Sequence, residues 1–83
     1  MYEIYLTKRA LKDLEKIPRI EKEKIAILLQ KISQDPNKFA RKLSNARIGT
    51  YRSRIGSYRV IFDLDERKII VLRIGHRKKI YRS

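Results

Sequence analysis

The chain contains no cysteine, and its 83 residues include a single histidine. Without thiols there is neither a disulfide framework nor a thiolate metal site to supplement packing. Cysteine–histidine catalysis is excluded, and a histidine-rich metal centre is impossible. Glycine occurs three times, and never in the Gly-x-x-x-x-Gly-Lys or Gly-x-Gly-x-x-Gly patterns that cradle nucleotide phosphates, so no cofactor is expected. Long apolar runs are also missing. Ile25-Ala26-Ile27-Leu28-Leu29 and Ile69-Ile70-Val71-Leu72 are the longest, far short of the roughly 20 residues of a membrane span. No apolar signal core precedes a cleavage site, so a cytoplasmic location is expected.

Acidic residues are scarce as well: 9 against 22 lysines and arginines, a net charge of +13. Such an excess repels itself in the compact state unless a polyanion or an acidic partner relieves it. Nucleic acid is the first candidate partner, an acidic protein the second and an anionic membrane surface the third. Asp63, Asp65 and Glu66 cluster near a turn, where balancing nearby cations accounts for them better than a two-metal centre. The length suits one domain spanning 1–83, small enough that it buries only ~60–65% of its extended-chain surface.

What is present is a strongly patterned chain. Tyr2-Glu3-Ile4-Tyr5-Leu6 alternates and is rich in strand formers. Thr7 is placed to cap a helix in which Ala10, Leu11, Leu14 and Ile17 form an apolar stripe, ended by Pro18. Ile25, Leu28, Leu29 and Ile32 resume the helical spacing behind Glu21 and Glu23, and Asp35-Pro36-Asn37 stops this second helix near Gln34. Residues 38–49 read as irregular with one short helical turn, anchored by Phe39 and Leu43, with Arg41, Lys42 and Arg47 exposed. A charged turn, Asp65-Glu66-Arg67-Lys68, leads into Ile69-Ile70-Val71-Leu72-Arg73-Ile74, whose near-continuous apolarity marks an interior strand. Gly75 is read as its end. The expected fold is α+β: an N-terminal strand, a helical hairpin, then a three-stranded antiparallel meander, forming one small twisted sheet with the helices on one face.

The densest pattern is Tyr51-Arg52-Ser53-Arg54-Ile55-Gly56-Ser57-Tyr58-Arg59-Val60-Ile61-Phe62. Gly-Ser between two strands predicts a type II′ hairpin, because its first loop position requires positive φ. A two-residue loop sets the register, with 55 opposite 58, 54 opposite 59, and so on to 51 opposite 62. Tyr51, Ser53, Ile55, Tyr58, Val60 and Phe62 then share a core-facing side. Arg52, Arg54, Arg59 and Ile61 share the other, where three guanidinium groups are expected to face solvent or an anion.

Arginine, lysine and tyrosine are thus the chemistry on offer. Metal-free RNA cleavage needs a base for the 2′-OH, cations for the charge on phosphorus and an acid for the leaving 5′-oxygen. Arginines clamp phosphate bidentately. Tyr81 sits in a basic tail that would favour its phenolate, although an aromatic packed onto the sheet is an equally physical reading of that residue.

The opening strand with Thr7-Lys8-Arg9-Ala10-Leu11-Lys12-Asp13-Leu14, the Pro18 turn, Asp35-Pro36, the 51–62 hairpin and Gly75-His76-Arg77-Lys78-Lys79-Ile80-Tyr81 occur in an order and spacing that resembles the RelE/ParE superfamily of toxins from toxin–antitoxin pairs. The resemblance covers nearly the whole chain. In its RelE branch it implies cleavage of messenger RNA in the ribosomal A site by 2′-OH attack, without metal or cofactor. By resemblance Arg59 binds and stabilises the phosphate, Arg77 assists the leaving oxygen and Tyr81 is the base. Arg52 and Arg54 match a basic pair before the turn, and His76, Lys78, Lys79 and Arg82 are further RNA or partner contacts. The implied partners are an acidic antitoxin, in a hetero-oligomer, together with ribosome and message. The superfamily's other branch implies inhibition of DNA gyrase without nucleolysis, and a basic RNA- or ribosome-binding module is the remaining alternative.

Overall fold

The computed structural model describes residues 1–42 and 51–80. Strand β1 (Glu3–Leu6) leads into helix α1 (Lys8–Glu15), whose N-cap is Thr7, its side chain accepting from the Ala10 N–H at 3.1 Å. Pro18 ends the turn after α1 and precedes α2 (Arg19–Gln34), placing the second helix where the spacing predicts it. Asp35 closes α2 and its side chain caps a four-residue helix, α3 (Pro36–Phe39), through the Lys38 N–H at 3.3 Å. The sequence predicts a helical turn within 38–49; α3 instead begins at Pro36, inside the Asp35-Pro36-Asn37 stop, and reaches only to Phe39. Four strands follow: β2 (Arg41–Lys42), β3 (Tyr51–Ile55), β4 (Tyr58–Asp65) and β5 (Lys68–His76). Leu43 and Arg47 lie outside the described residues. No described helix is long and apolar enough to cross a membrane.

The sheet has five strands in the order β1-β5-β4-β3-β2. The meander β3-β4-β5 is antiparallel as expected, while β1 pairs in parallel with β5 from Glu3↔Lys68 to Leu6↔Val71, and β2 adds a short edge. As its apolarity predicts, β5 is interior. Its core-facing positions change parity partway: Ile69 and Val71 are buried in the core, and so is Ile74. A bulge causes the change, since Ile61 pairs with Arg73 but the next residue, Phe62, pairs with Val71, leaving Leu72 as the extra residue.

The core lies between one sheet face and the helices. Ala10, Ile25, Leu28 and Ile32 meet Val60, Phe62, Ile69, Val71 and Ile74. Burying each of the larger side chains contributes about 1.5–3 kcal/mol. Leu11, expected in the α1 stripe, is instead 47% exposed. One helical turn of the short α1 presses on the sheet through Ala10, and the adjacent position rotates roughly 100° away from that contact. Ser53, buried among apolar neighbours, is satisfied by donating to the Phe39 carbonyl, which ties β3 to α3.

Candidate functional site

The β3–β4 hairpin has the predicted register throughout, Tyr51↔Phe62 to Ile55↔Tyr58. Gly56 has φ 58°, while Ser57 is not among the positive-φ residues, the pattern of a type II′ loop. On the core side, Tyr51 stacks on Phe62 with ring centroids 5.6 Å apart. The other side carries Arg52, Arg54 and Arg59, and the structure adds Arg41, which stands opposite Arg52 in the β2–β3 ladder. Directly opposed residues project from the same side, so four arginines share this face. Arg41 had no signal in the sequence beyond its charge, because a two-residue strand shows no periodicity.

These arginines are not alike. Arg54 is exposed and Arg52 half-buried, but Arg59 is only 7% exposed. The expectation of three solvated guanidinium groups is therefore corrected for Arg59. It projects from β4, the middle strand of the sheet, where neighbours on both sides shield it, as they do Ile61 on the same face. Its Nη1 donates to the carbonyls of Gly56 at 3.2 Å and Tyr58 at 3.1 Å. These bonds offset part of the cost of burying a charge that cannot be removed by deprotonation, and they hold the guanidinium against the hairpin turn.

The segment after the bulge meets this hairpin end. Contrary to expectation, Gly75 does not break β5. The strand continues to His76, pairing Arg59↔Gly75 and Tyr58↔His76, and the chain turns only at 77–80. A Cβ at position 75 would lie 3.7 Å from the Ile80 Cβ, an ordinary contact, and Ile80 is buried. The His76 ring meets Tyr58 edge-on at 5.8 Å. Its Nδ1 accepts from the Lys78 N–H at 3.2 Å, and its carbonyl accepts from Lys79 and Ile80 at 2.9 and 3.0 Å. The Arg77 N–H donates to the Ser57 carbonyl at 2.8 Å, fastening the final turn to the hairpin loop. Arg77, Lys78 and Lys79 are exposed. Tyr81 and Arg82 lie outside the described residues.

Of the residues picked out from sequence, the structure thus brings Arg54, Arg59, His76 and Arg77 to one end of the hairpin, with Arg52 further along β3. Behind them, Arg9, Lys16, Arg73 and Lys79 line a cleft of about 320 Å³ with Asp13. Among the described residues, no three of His, Cys, Asp and Glu gather closely enough to hold a metal ion. The arrangement is suited to gripping anions: several fixed cations and few competing carboxylates.

The comparisons with known proteins point the same way. The family model described as the ParE toxin of the type II toxin-antitoxin system parDE matches residues 4–81. Toxin RelG of Mycobacterium tuberculosis is 31% identical over 84 residues, covering 98% of this chain and 97% of that protein. Putative toxin RelE1 of Methanocaldococcus jannaschii is also 31% identical, over 87 residues, covering 99% of this chain and 97% of that protein. A chain in the crystal structure of the toxin–antitoxin complex RelBE2 from Mycobacterium tuberculosis superposes with a TM-score of 0.82 at 26% identity, covering 92% of this chain and 98% of that one. The arginine-faced hairpin, the helices on its far side and the match along nearly the full sequence have one explanation: this chain belongs to the RelE/ParE family of toxins of type II toxin–antitoxin systems.

Proposed function

We propose that this toxin is a ribosome-dependent endonuclease that cuts messenger RNA in the A site without a metal ion. The 2′-oxygen attacks the adjacent phosphorus, the bond to the 5′-oxygen breaks, and the products are a 2′,3′-cyclic phosphate and a 5′-hydroxyl. Tyr81 takes the 2′-OH proton. Arg59, Arg52 and Arg54 stabilise the negative charge that builds on the phosphoryl oxygens. Arg77 stabilises the departing 5′-oxygen as a hydrogen-bond donor and keeps its own proton, so the proton that completes the 5′-hydroxyl comes from water. His76, Lys78, Lys79 and Arg82 contact the RNA backbone.

The observation that carries this reading is the junction of hairpin and tail: Arg59 opposite Gly75, Tyr58 opposite His76, and the Arg77 N–H on the Ser57 carbonyl. It joins the phosphate-binding arginines to the segment bearing Arg77. The RelG and RelE1 relatives favour it as well. An acidic antitoxin binding over the arginine face would neutralise much of the +13 charge, in a toxin–antitoxin hetero-oligomer like the RelBE2 complex that this chain resembles. The toxin would act in the cytoplasm, where translating ribosomes are.

The second reading is gyrase inhibition through protein contacts, favoured by the ParE description of the matching family model. Primer extension on message incubated with translating ribosomes separates the two. New 3′ ends within codons, lost in Arg77→Ala and Tyr81→Phe, are expected. Intact message together with inhibited supercoiling by gyrase would replace the nuclease reading with the second one.

A further inference from the structure

The arginine face does not end at the hairpin. Arg41 in β2 stands opposite Arg52 in β3, and both belong to the side of the sheet that carries Arg54 and Arg59. Arg41, Arg52 and Arg54 line a cleft of about 290 Å³ together with Lys38, Phe39 and Ser53, and Arg59 lies outside it. None of its lining residues is acidic. Among the described residues, Arg41, Arg52 and Arg54 enter no salt bridge. Arg41 and Arg54 are exposed. Both of these side chains are solvated, unlike the buried Arg59, and no acidic side chain among the described residues pairs with either.

We infer that Arg41, supported by Lys38, forms a further RNA subsite that binds a phosphate flanking the one that is cut. The inference rests on the nuclease reading above and extends its site along the strand edge. Three features favour an RNA backbone over other anions. The cations form a stepped path rather than a cluster: Arg59 in β4 stands opposite Arg54 in β3, Arg52 lies two residues away on β3, and Arg41 in β2 stands opposite Arg52. The two cross-strand steps span about 4.5–5.5 Å and the step along β3 ~6.7 Å, so charge recurs at short intervals along the path, as it does on a polyphosphate chain. The path is also continuous with the residues proposed to hold the scissile phosphate, so one strand of RNA can occupy both. Arginine suits such a post because its planar fork can bind two phosphate oxygens at once. An acidic stretch of antitoxin is the competing occupant, and the test distinguishes it.

The test is single-turnover cleavage on programmed ribosomes, using wild type, Arg41→Ala and Arg41→Lys, and messages shortened one nucleotide at a time on each side of the cut. Arg41→Ala should lower cleavage at sub-saturating toxin about tenfold, as expected for loss of one charge-assisted phosphate contact, with Arg41→Lys recovering only the part due to charge and not that due to the two-oxygen fork. Arg41 is exposed, so equal thermal unfolding of the three proteins is expected. One particular shortened message should cost wild type as much as Arg41→Ala does and cost the variant nothing further, the non-additivity of two changes that remove the same contact. Unchanged cleavage by Arg41→Ala, or strictly additive losses with every message, overturns the subsite while leaving the nuclease reading intact. The subsite is equally overturned if Arg41→Ala cleaves normally but binds polyglutamate more weakly, which would assign the residue to an acidic protein. Absence of cleavage by wild type overturns both readings together.

Discussion

Asp13 in α1 and Arg73 in β5 meet at 2.9 Å, and the same carboxylate oxygen accepts the Ile74 N–H at 3.0 Å. The contact sits where β5 loses its neighbour, because β1 ends at Leu6 opposite Val71. Beyond that point α1 takes over: the Thr7 hydroxyl donates to the Leu72 carbonyl at 3.2 Å, and Asp13 receives the next free amide. The bulge at Leu72, which turns Ile74 into the core, is thus held by a helix rather than a strand.

Asp13→Ala should therefore cost about 2 kcal/mol of stability, because it leaves a part-buried amide unpaired and removes a charge-assisted bond. Asp13→Asn keeps an oxygen acceptor and should cost less than half as much. Urea unfolding of the two variants measures the difference. Equal losses would show that charge, not hydrogen bonding, holds the bulge.

The two hairpin loops offer a matched pair of substitutions. Glu66 in the β4–β5 loop has φ 57°, nearly the same as Gly56 at 58° in the β3–β4 loop. Glu66→Gly should stabilise by about 0.5–1 kcal/mol, the relief of left-handed strain exceeding the added freedom of the unfolded chain. Gly56→Ala should destabilise by about 1–2 kcal/mol. A Cβ there would have open space around it, so the loss would be purely conformational. Urea midpoints at unchanged slope are the readout.

At position 75 the expectation is graded by size. A Cβ would make ordinary contact with Ile80, so Gly75→Ala should leave the structure and any RNA cleavage close to wild type. Gly75→Leu should displace Ile80 and the 77–80 turn, lowering cleavage at least tenfold while costing only about 1–3 kcal/mol from overpacking. Cleavage and unfolding measured on the same preparations would separate the two effects.

Tyr5 provides a pH signature at the far edge of the sheet. Its hydroxyl donates to Glu3 at 3.1 Å, and that hydrogen bond, followed by the glutamate's charge, raises the phenol above its usual value. A folded-state value above the unfolded one contributes stability fully present below the unfolded pKa of about 10, and lost as pH rises through the folded pKa. Glu3→Gln should move the phenol titration back towards its ordinary position, as followed by near-ultraviolet absorbance. An unmoved titration curve would mean that the Glu3 contact is not formed in solution.

Much of the site was readable from residues alone. Alternation at 51–55 and 58–62 with Gly-Ser between them is enough to predict every ladder pair of the hairpin and the side on which Arg52, Arg54 and Arg59 stand. It is not enough to predict that Arg59 is buried and Arg54 exposed. Both have the same side-chain chemistry, and only their distance from the sheet edge differs. Gly75 illustrates the same limit. Glycine reads as a strand breaker from composition, whereas here it lies within β5, paired with Arg59 and beside the buried Ile80.

The sequence by itself determined the Thr7 helix cap, the Gly56-Ser57 loop, the hairpin register and the surplus of positive charge. The charge is composition alone, and the other three depend on φ and ψ preferences or hydrogen bonds between residues a few positions apart, which operate wherever the segment lies. The parallel seating of β1 against β5, the bulge at Leu72, the burial of Arg59 and the alignment of Arg41 with Arg52 were decided by the tertiary structure. All four depend on which strand lies alongside which, and that is settled only when the helices cover one face of the sheet and distant segments compete for the same neighbours.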